Sequence, residues 1–186
     1  ARIRSLLRVR NARQELILRD GTSRALGFEE VRKGFDAAAH VALLSHSEAS
    51  GDVLAEKLDS QFSLPVTRFD TDQVLTQSAS LPVPDLFVID GTQDLDGGRG
   101  IFRLISDLRS RSETRLSSLL VVLPDNLPDI AALVLDLGAD DVIGVSVSRG
   151  EIGLRTKALV HQKLLYDKLR DTVRDGLHAA VTDSLT

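Results

Sequence analysis

The sequence predicts a doubly wound α/β domain, a five-stranded parallel sheet with helices on both faces, preceded by an extra helix and followed by a long one. Three observations predict it. Short apolar runs suited to strands buried on both faces recur at residues 41–44, 85–90 and 119–123. The segments between them carry apolar residues at helical spacing. With 42% hydrophobic and 27% charged residues over 186 positions, the chain can bury a core and falls outside the disordered and fibrous classes.

In chain order, residues 1–26 place Ile3, Leu6, Leu7, Leu16 and Leu18 among charged side chains without a proline, which predicts an amphipathic helix ending at Gly21 and Gly27. Charge, Gly34 and an alanine run follow, which reads as a linker and a domain boundary. Residues 41–44 are the first strand, 48–58 a helix, and 64–69 an extended β-branched stretch with Pro65 near its start. Residues 70–78 suit a weak helix that Asp70 or Thr71 can cap. The clearest strand is 85–90, from which a loop holding Gly91, Gly97, Gly98 and Gly100 leads to a helix at 101–108. Residues 119–123 are the fourth strand, 127–137 a helix with Gly138 just past its end, and 141–145 the fifth strand. The last helix begins near Arg149 and outruns the domain, because Leu154, Ala158, Leu165, Leu169, Val173, Leu177 and Ala180 continue one apolar seam, with Gly176 a weak point. Helices of this kind connect domains or dock on a partner.

Composition narrows the function. Zero cysteines exclude disulfides, thiolate zinc sites and cysteine nucleophiles. A net charge of -4 offers no field for nucleic acid, the basic run Arg2, Arg4, Arg8, Arg10 and Arg13 reads as a solvated helix face, and 4% aromatics give no stacking platform. No apolar run nears the ~20 residues of a membrane span, and the arginine-studded start is not a signal peptide, so a cytoplasmic protein is expected. His40, His46, His161 and His178 lack the paired spacing of metal ligands. Asp94 and Asp96, near Asp90, suit turn formation better than cation binding, and the glycine-rich loop lacks the Lys-Ser/Thr of a phosphate-binding loop.

In a doubly wound sheet the site lies beyond the carboxyl ends of the strands, which singles out Ser45, His46, Asp90, Leu123 and Val145. Only Asp90 and His46 are ionisable. Pro84-Asp85-Leu86-Phe87-Val88-Ile89-Asp90 and Leu137-Gly138-Ala139-Asp140-Asp141 resemble the third strand and the turn before the fifth strand in receiver domains of bacterial response regulators, the CheY-like, flavodoxin-like fold. The resemblance covers residues 41–165. In that family an acidic pair after the first strand joins the acceptor aspartate in holding Mg2+, a Ser or Thr and a Lys contact the phosphoryl group, and an aromatic in the fifth strand follows the switch. The resemblance puts Asp90 at the acceptor position and departs at every other one. Ser45 and His46 replace the acidic pair, Leu123 the hydroxyl, Val145 and Ser146 the lysine and the proline after it, and Val142 the aromatic.

Phosphoryl transfer rests on positioning and on charge neutralisation by metal and cationic donors, so a lone carboxylate is expected to accept poorly. The expectation is a degenerate receiver with no catalytic residue, metal or resident cofactor. The alternative is a phospho-accepting receiver that uses Asp90. Val88-Ile89-Asp90-Gly91-Thr92 also resembles the motif of haloacid-dehalogenase-type phosphatases, but Val88 stands in the nucleophile's place.

Asp183-Ser184-Leu185-Thr186 resembles the D-x-L-T that opens GGDEF diguanylate cyclase domains, and residues 2–8 align with residues 155–161 as a faint repeat of the final helix. The arrangement is similar to that of PleD-type regulators: receiver, degenerate receiver adaptor, cyclase. It implies that residues 1–27 are the last helix of a preceding receiver, 28–39 a linker, 40–165 the adaptor, and 166–186 a connector helix with the first residues of a GGDEF domain. The chain, which starts at Ala1, is then expected to be a middle piece without cyclase activity. Its parent would convert two GTP into cyclic di-GMP with Mg2+. Expected partners are a second copy, through a face around Leu133, Asp136, Val142, Leu154 and Lys157, and the adjacent receiver and GGDEF domains. Arg32, Lys33 and Arg68 are candidate cyclic di-GMP contacts, since a guanidinium pairs with phosphate and stacks on guanine.

Overall fold

Strands β1 (Val41–Leu44), β2 (Val66–Phe69), β3 (Leu86–Asp90), β4 (Ser118–Leu123) and β5 (Asp141–Gly144) run parallel in the order β2-β1-β3-β4-β5. The computed structural model describes residues 39–59, 66–71, 82–93 and 98–183. The expectations for residues 1–38, including Arg32 and Lys33, lie outside the described residues. So do those for most of the helix at 70–78, for Asp94, Asp96 and Gly97, and for Ser184, Leu185 and Thr186. Among the described residues four helices complete the fold: α1 (Glu48–Asp59), α2 (Arg99–Ser110), α3 (Pro128–Leu137) and α4 (Arg149–Asp183).

The apolar strand runs are explained by burial on both faces. Alternate side chains point to opposite sides of a strand. Val41, Leu43, Leu86, Val88, Leu120 and Val122 therefore join one core, which α1 and α4 cover with Leu54, Leu58, Ile152, Leu159 and Val160. Ala42, Leu44, Phe87, Ile89, Leu119, Val121 and Leu123 join the other, which α2 and α3 cover with Ile101, Leu104, Ile105, Leu108 and Val134. Each strand contributes to both cores, so neither face tolerates a polar run.

Local chemistry sets the helix ends. The Ser47 hydroxyl accepts the Ser50 N–H at 3.3 Å, and Ser148 accepts the Glu151 N–H at 3.2 Å, satisfying donors in the first turns of α1 and α4. Pro128 opens α3, where its missing N–H costs nothing, and Gly138 closes it at φ 115, a left-handed conformation that glycine adopts without strain. The Gly138 and Ala139 N–H groups turn back to the carbonyls of Leu135 and Val134. At the end of α2, the Thr114 hydroxyl donates to the Leu108 carbonyl at 2.7 Å.

The seam expected along the last helix needs correction over the part that covers the sheet. Ile152, Thr156, Leu159 and Val160 are buried there, whereas Leu154 is 72% exposed and Ala158 is exposed. Positions four and seven beyond Ile152 share its face, and Leu154 lies well around the helix from it. No helix among the described residues is long and apolar enough to cross a membrane.

Candidate functional site

The strand order reverses at β1, which pairs with β2 on one side and β3 on the other, so a crevice forms past the carboxyl ends of β1 and β3. Ser45 follows β1 and Asp90 ends β3. The structure brings them together: the Ser45 hydroxyl donates to Asp90 Oδ2 at 2.7 Å. On the other oxygen, Asp90 Oδ1 accepts the Thr92 N–H at 3.0 Å and the Thr92 hydroxyl at 2.6 Å. Ser50, in the first turn of α1, meets the Thr92 hydroxyl at 2.9 Å. Asp90 is only 6% exposed, so these neutral donors replace most of the water a carboxylate would otherwise hold.

The remaining candidates lie apart from this carboxylate. His46 turns to Thr71, whose hydroxyl is 2.5 Å from Nδ1 and 2.8 Å from Nε2. Leu123 is 2% exposed and packs into the second core. A Cβ on Gly91 would stand 2.8 Å from Leu123 Cδ2, 2.6 Å from Ile101 Cδ1 and 2.9 Å from the Val122 carbonyl. The backbone after Asp90 thus passes directly over the leucine, and only glycine fits. Val145 donates its N–H to the Leu123 carbonyl at 2.8 Å, and its own carbonyl accepts Lys57 Nζ at 2.9 Å. Arg68 pairs with Asp52 and donates to the Glu48 carbonyl, so its guanidinium lies over the start of α1.

The sequence presents Thr92 only as the last residue of the Val88–Thr92 motif, and it offers no reason to place Ser50 at the site. A signal for the first existed: an aspartate followed two residues later by a hydrogen-bond donor, with glycine between, is the pattern of an Asx-turn. Ser50 carries no such signal, since only the fold places α1 beside the β3–α2 turn.

Chemically, the arrangement holds a carboxylate still through neutral donors, and among the described residues none of its hydrogen-bond partners is a cation. Among the described residues no group of three or more His, Cys, Asp or Glu could hold a metal ion. A second ionisable cluster lies where β4 and β5 begin. There Arg109 Nη2 meets Asp140 Oδ2 at 2.9 Å, and the same oxygen accepts the Leu119 N–H at 2.8 Å. Burial raises the Asp140 pKa, and the Arg109 charge and the Leu119 hydrogen bond oppose the rise.

No family model matches the chain. Over its whole length it is 29% identical to the Response regulator PleD of Caulobacter vibrioides, in two strains, and it spans 40% of that protein. Solved structures share its fold. The receiver domain of sensor histidine kinase PA1611 from Pseudomonas aeruginosa, with magnesium in its active-site cleft, aligns at TM-score 0.54 and 17% identity, covering 66% of this chain and 98% of that one. Full-length FixJ from B. japonicum aligns at 0.58 and 19%, covering 75% of this chain and 66% of that one. NtrX from Brucella abortus aligns at 0.59 and 18%, covering 73% of this chain and 29% of that one. The chain has a receiver fold and is similar throughout to a response regulator.

Proposed function

We propose that residues 40–165 form a non-catalytic, receiver-like adaptor of a cytoplasmic two-component regulator. It passes state through α4 to a diguanylate cyclase domain, residues 166–186 being the connector helix and the first residues of that domain. Residues 1–27 then belong to a preceding receiver and 28–39 to a linker. The adaptor works by contact, with a second copy and with the flanking receiver and GGDEF domains, while Mg2+ and GTP serve the cyclase domain alone.

The observation that carries this reading is the surroundings of Asp90: its two oxygens accept from Ser45 and from Thr92, Leu123 is buried, and Val145 has an apolar side chain where a lysine would be needed. Transfer of a phosphoryl group needs charge neutralised at three equatorial oxygens, and among the described residues no metal-binding group of carboxylates stands beside Asp90 and no lysine bonds to it. Incubation with Mg2+ and either acetyl phosphate or beryllofluoride tests it. No Asp90-dependent adduct is expected, and a stoichiometric one supports the second reading, a working acceptor. That alternative draws on one observation, the position of Asp90 at the crevice where β1 and β3 diverge. The proposed cyclic di-GMP contact through Arg32, Lys33 and Arg68 requires the ligand to displace Asp52 from Arg68. In a longer protein containing the cyclase, unchanged product inhibition in Arg68→Ala and Arg32→Ala sinks it.

A further inference from the structure

We propose that Asp90 is the terminal acceptor of a hydroxyl relay that latches the start of α1 to the β3–α2 turn. The proposal rests on the reading that Asp90 takes no phosphoryl group. A hydroxyl has one proton to give. Thr92 spends its proton on Asp90 Oδ1 at 2.6 Å, so in the 2.9 Å contact between Ser50 and Thr92 the donor is Ser50. The chain of donation runs from Ser50 to Thr92 to Asp90. Ser45 has two acceptors in reach, Asp90 Oδ2 at 2.7 Å and the Ser47 carbonyl at 2.9 Å. Its one proton goes to the nearer, charged oxygen, which closes the relay from the other side, and its own oxygen accepts the Ser47 N–H at 3.2 Å.

Four segments are therefore tied through one carboxylate: the β1–α1 turn, the first turn of α1, the end of β3 and the turn after it. Gly51 adds a steric seat, because a Cβ there would lie 3.2 Å from Ser45 Cβ and 2.8 Å from Arg68 Nη2. Ser45 is thus held against α1 on one side and against Asp90 on the other. A hydrogen-bonded chain ending on an anion is stronger than its separate links, since each donor is polarised by the next. The latch holds one conformation without a metal or a phosphoryl group, and the relic acceptor becomes a positioning residue for α1.

Hydrogen–deuterium exchange on the full chain tests the latch through four substitutions. Thr92→Val keeps the shape and removes the hydroxyl; exchange at residues 47–51 should rise at least tenfold, with β4 unchanged. Thr92→Ser restores the donor and should stay within twofold of the native chain. Asp90→Asn keeps one acceptor oxygen without the charge and should raise exchange less than Thr92→Val does, and adding Thr92→Val to Asp90→Ala should change exchange less than twofold. Unchanged exchange at 47–51 in Thr92→Val overturns the latch. Added protection at 47–51 in the native chain with Mg2+ and beryllofluoride overturns instead the reading that Asp90 accepts no phosphoryl group.

Discussion

Thr156 is 1% exposed on the sheet-facing side of α4, and its hydroxyl has no hydrogen-bond partner among the described residues. A helical threonine usually returns its proton to the carbonyl four residues back, and a buried hydroxyl without a partner carries a desolvation cost of about 1–3 kcal/mol. Valine has the same shape. Thr156→Val is expected to raise stability by about 1 kcal/mol in urea denaturation, the small difference in helix propensity being minor. A loss of stability would mean that the hydroxyl has a partner after all. Asp140 yields a second outcome at this scale. Burial raises its pKa, so the folded chain holds that proton more tightly than the unfolded one. Its contribution to stability is complete below the ordinary carboxylate pKa and is lost as pH rises through the raised folded value. Asp140→Asn cannot ionise, so its stability relative to the native chain should climb as pH rises from the ordinary carboxylate range through the raised folded value. A pH-independent difference between the two would contradict the buried origin of the shift.

Arg109, in the last turn of α2, acts across elements. Its Nε and Nη2 donate to the Gly138 carbonyl at 2.9 and 2.7 Å, Nη1 to the carbonyls of Arg115 and Ser117 at 2.9 and 2.6 Å, and Nη2 also to Asp140 at 2.9 Å. One planar fork thereby joins the α2 terminus, the α2–β4 loop and the α3–β5 turn. Lysine offers a point charge without that fork. Arg109→Ala should cost about 2–3 kcal/mol, and Arg109→Lys should recover less than half of it in the same denaturation assay. Full recovery by lysine would show that charge alone sufficed. The same turn illustrates what the sequence reveals. Apolar runs at β1, β3 and β4 are legible because burial on both faces removes every polar position, and Gly138 is legible because a left-handed helix end favours glycine. The ends of those strands then identify the positions of Ser45, Asp90 and Leu123, and the end of β5 that of Val145. The side-chain partners are not legible: Arg109 reaches 29 residues along the chain to Gly138, and Ser50 reaches 42 to Thr92. In α4 the periodicity carries two stripes, one buried on the sheet through Ile152, Thr156 and Leu159 and one exposed at Leu154, and spacing alone does not tell which of them a 35-residue helix turns to its own sheet.

At the scale of the molecule, the proposed contact with a second copy has two exposed apolar surfaces to choose between. α3 and α4 cover opposite faces of the sheet and flank β5, the edge strand of the described sheet. Leu133 is 51% and Leu154 72% exposed on these two helices. Arg155 bonds Asp141 at 2.8 Å and Glu151 at 2.9 Å, neutralising the charges that border Leu154. The competing surface is farther along α4, where Tyr166 is 45% and Val173 50% exposed. α4 is about 50 Å long at 1.5 Å per residue; Tyr166 still borders the pocket beside Arg115 and Ser117, whereas Val173, farther on, has no second described helix beside it. Association there must order a single helix, whereas Leu133 and Leu154 are already fixed by two helices packed on the sheet, so less freedom is lost on contact. A two-fold pairing of the α3–β5–α4 face also closes at two copies, each presenting the same patch to the other. Sedimentation equilibrium should therefore show a dimer whose dissociation constant rises at least tenfold in Leu154→Asp and less than threefold in Val173→Asp. The reverse order would move the contact to the far part of α4, and a monomer at every concentration would remove self-association from this chain.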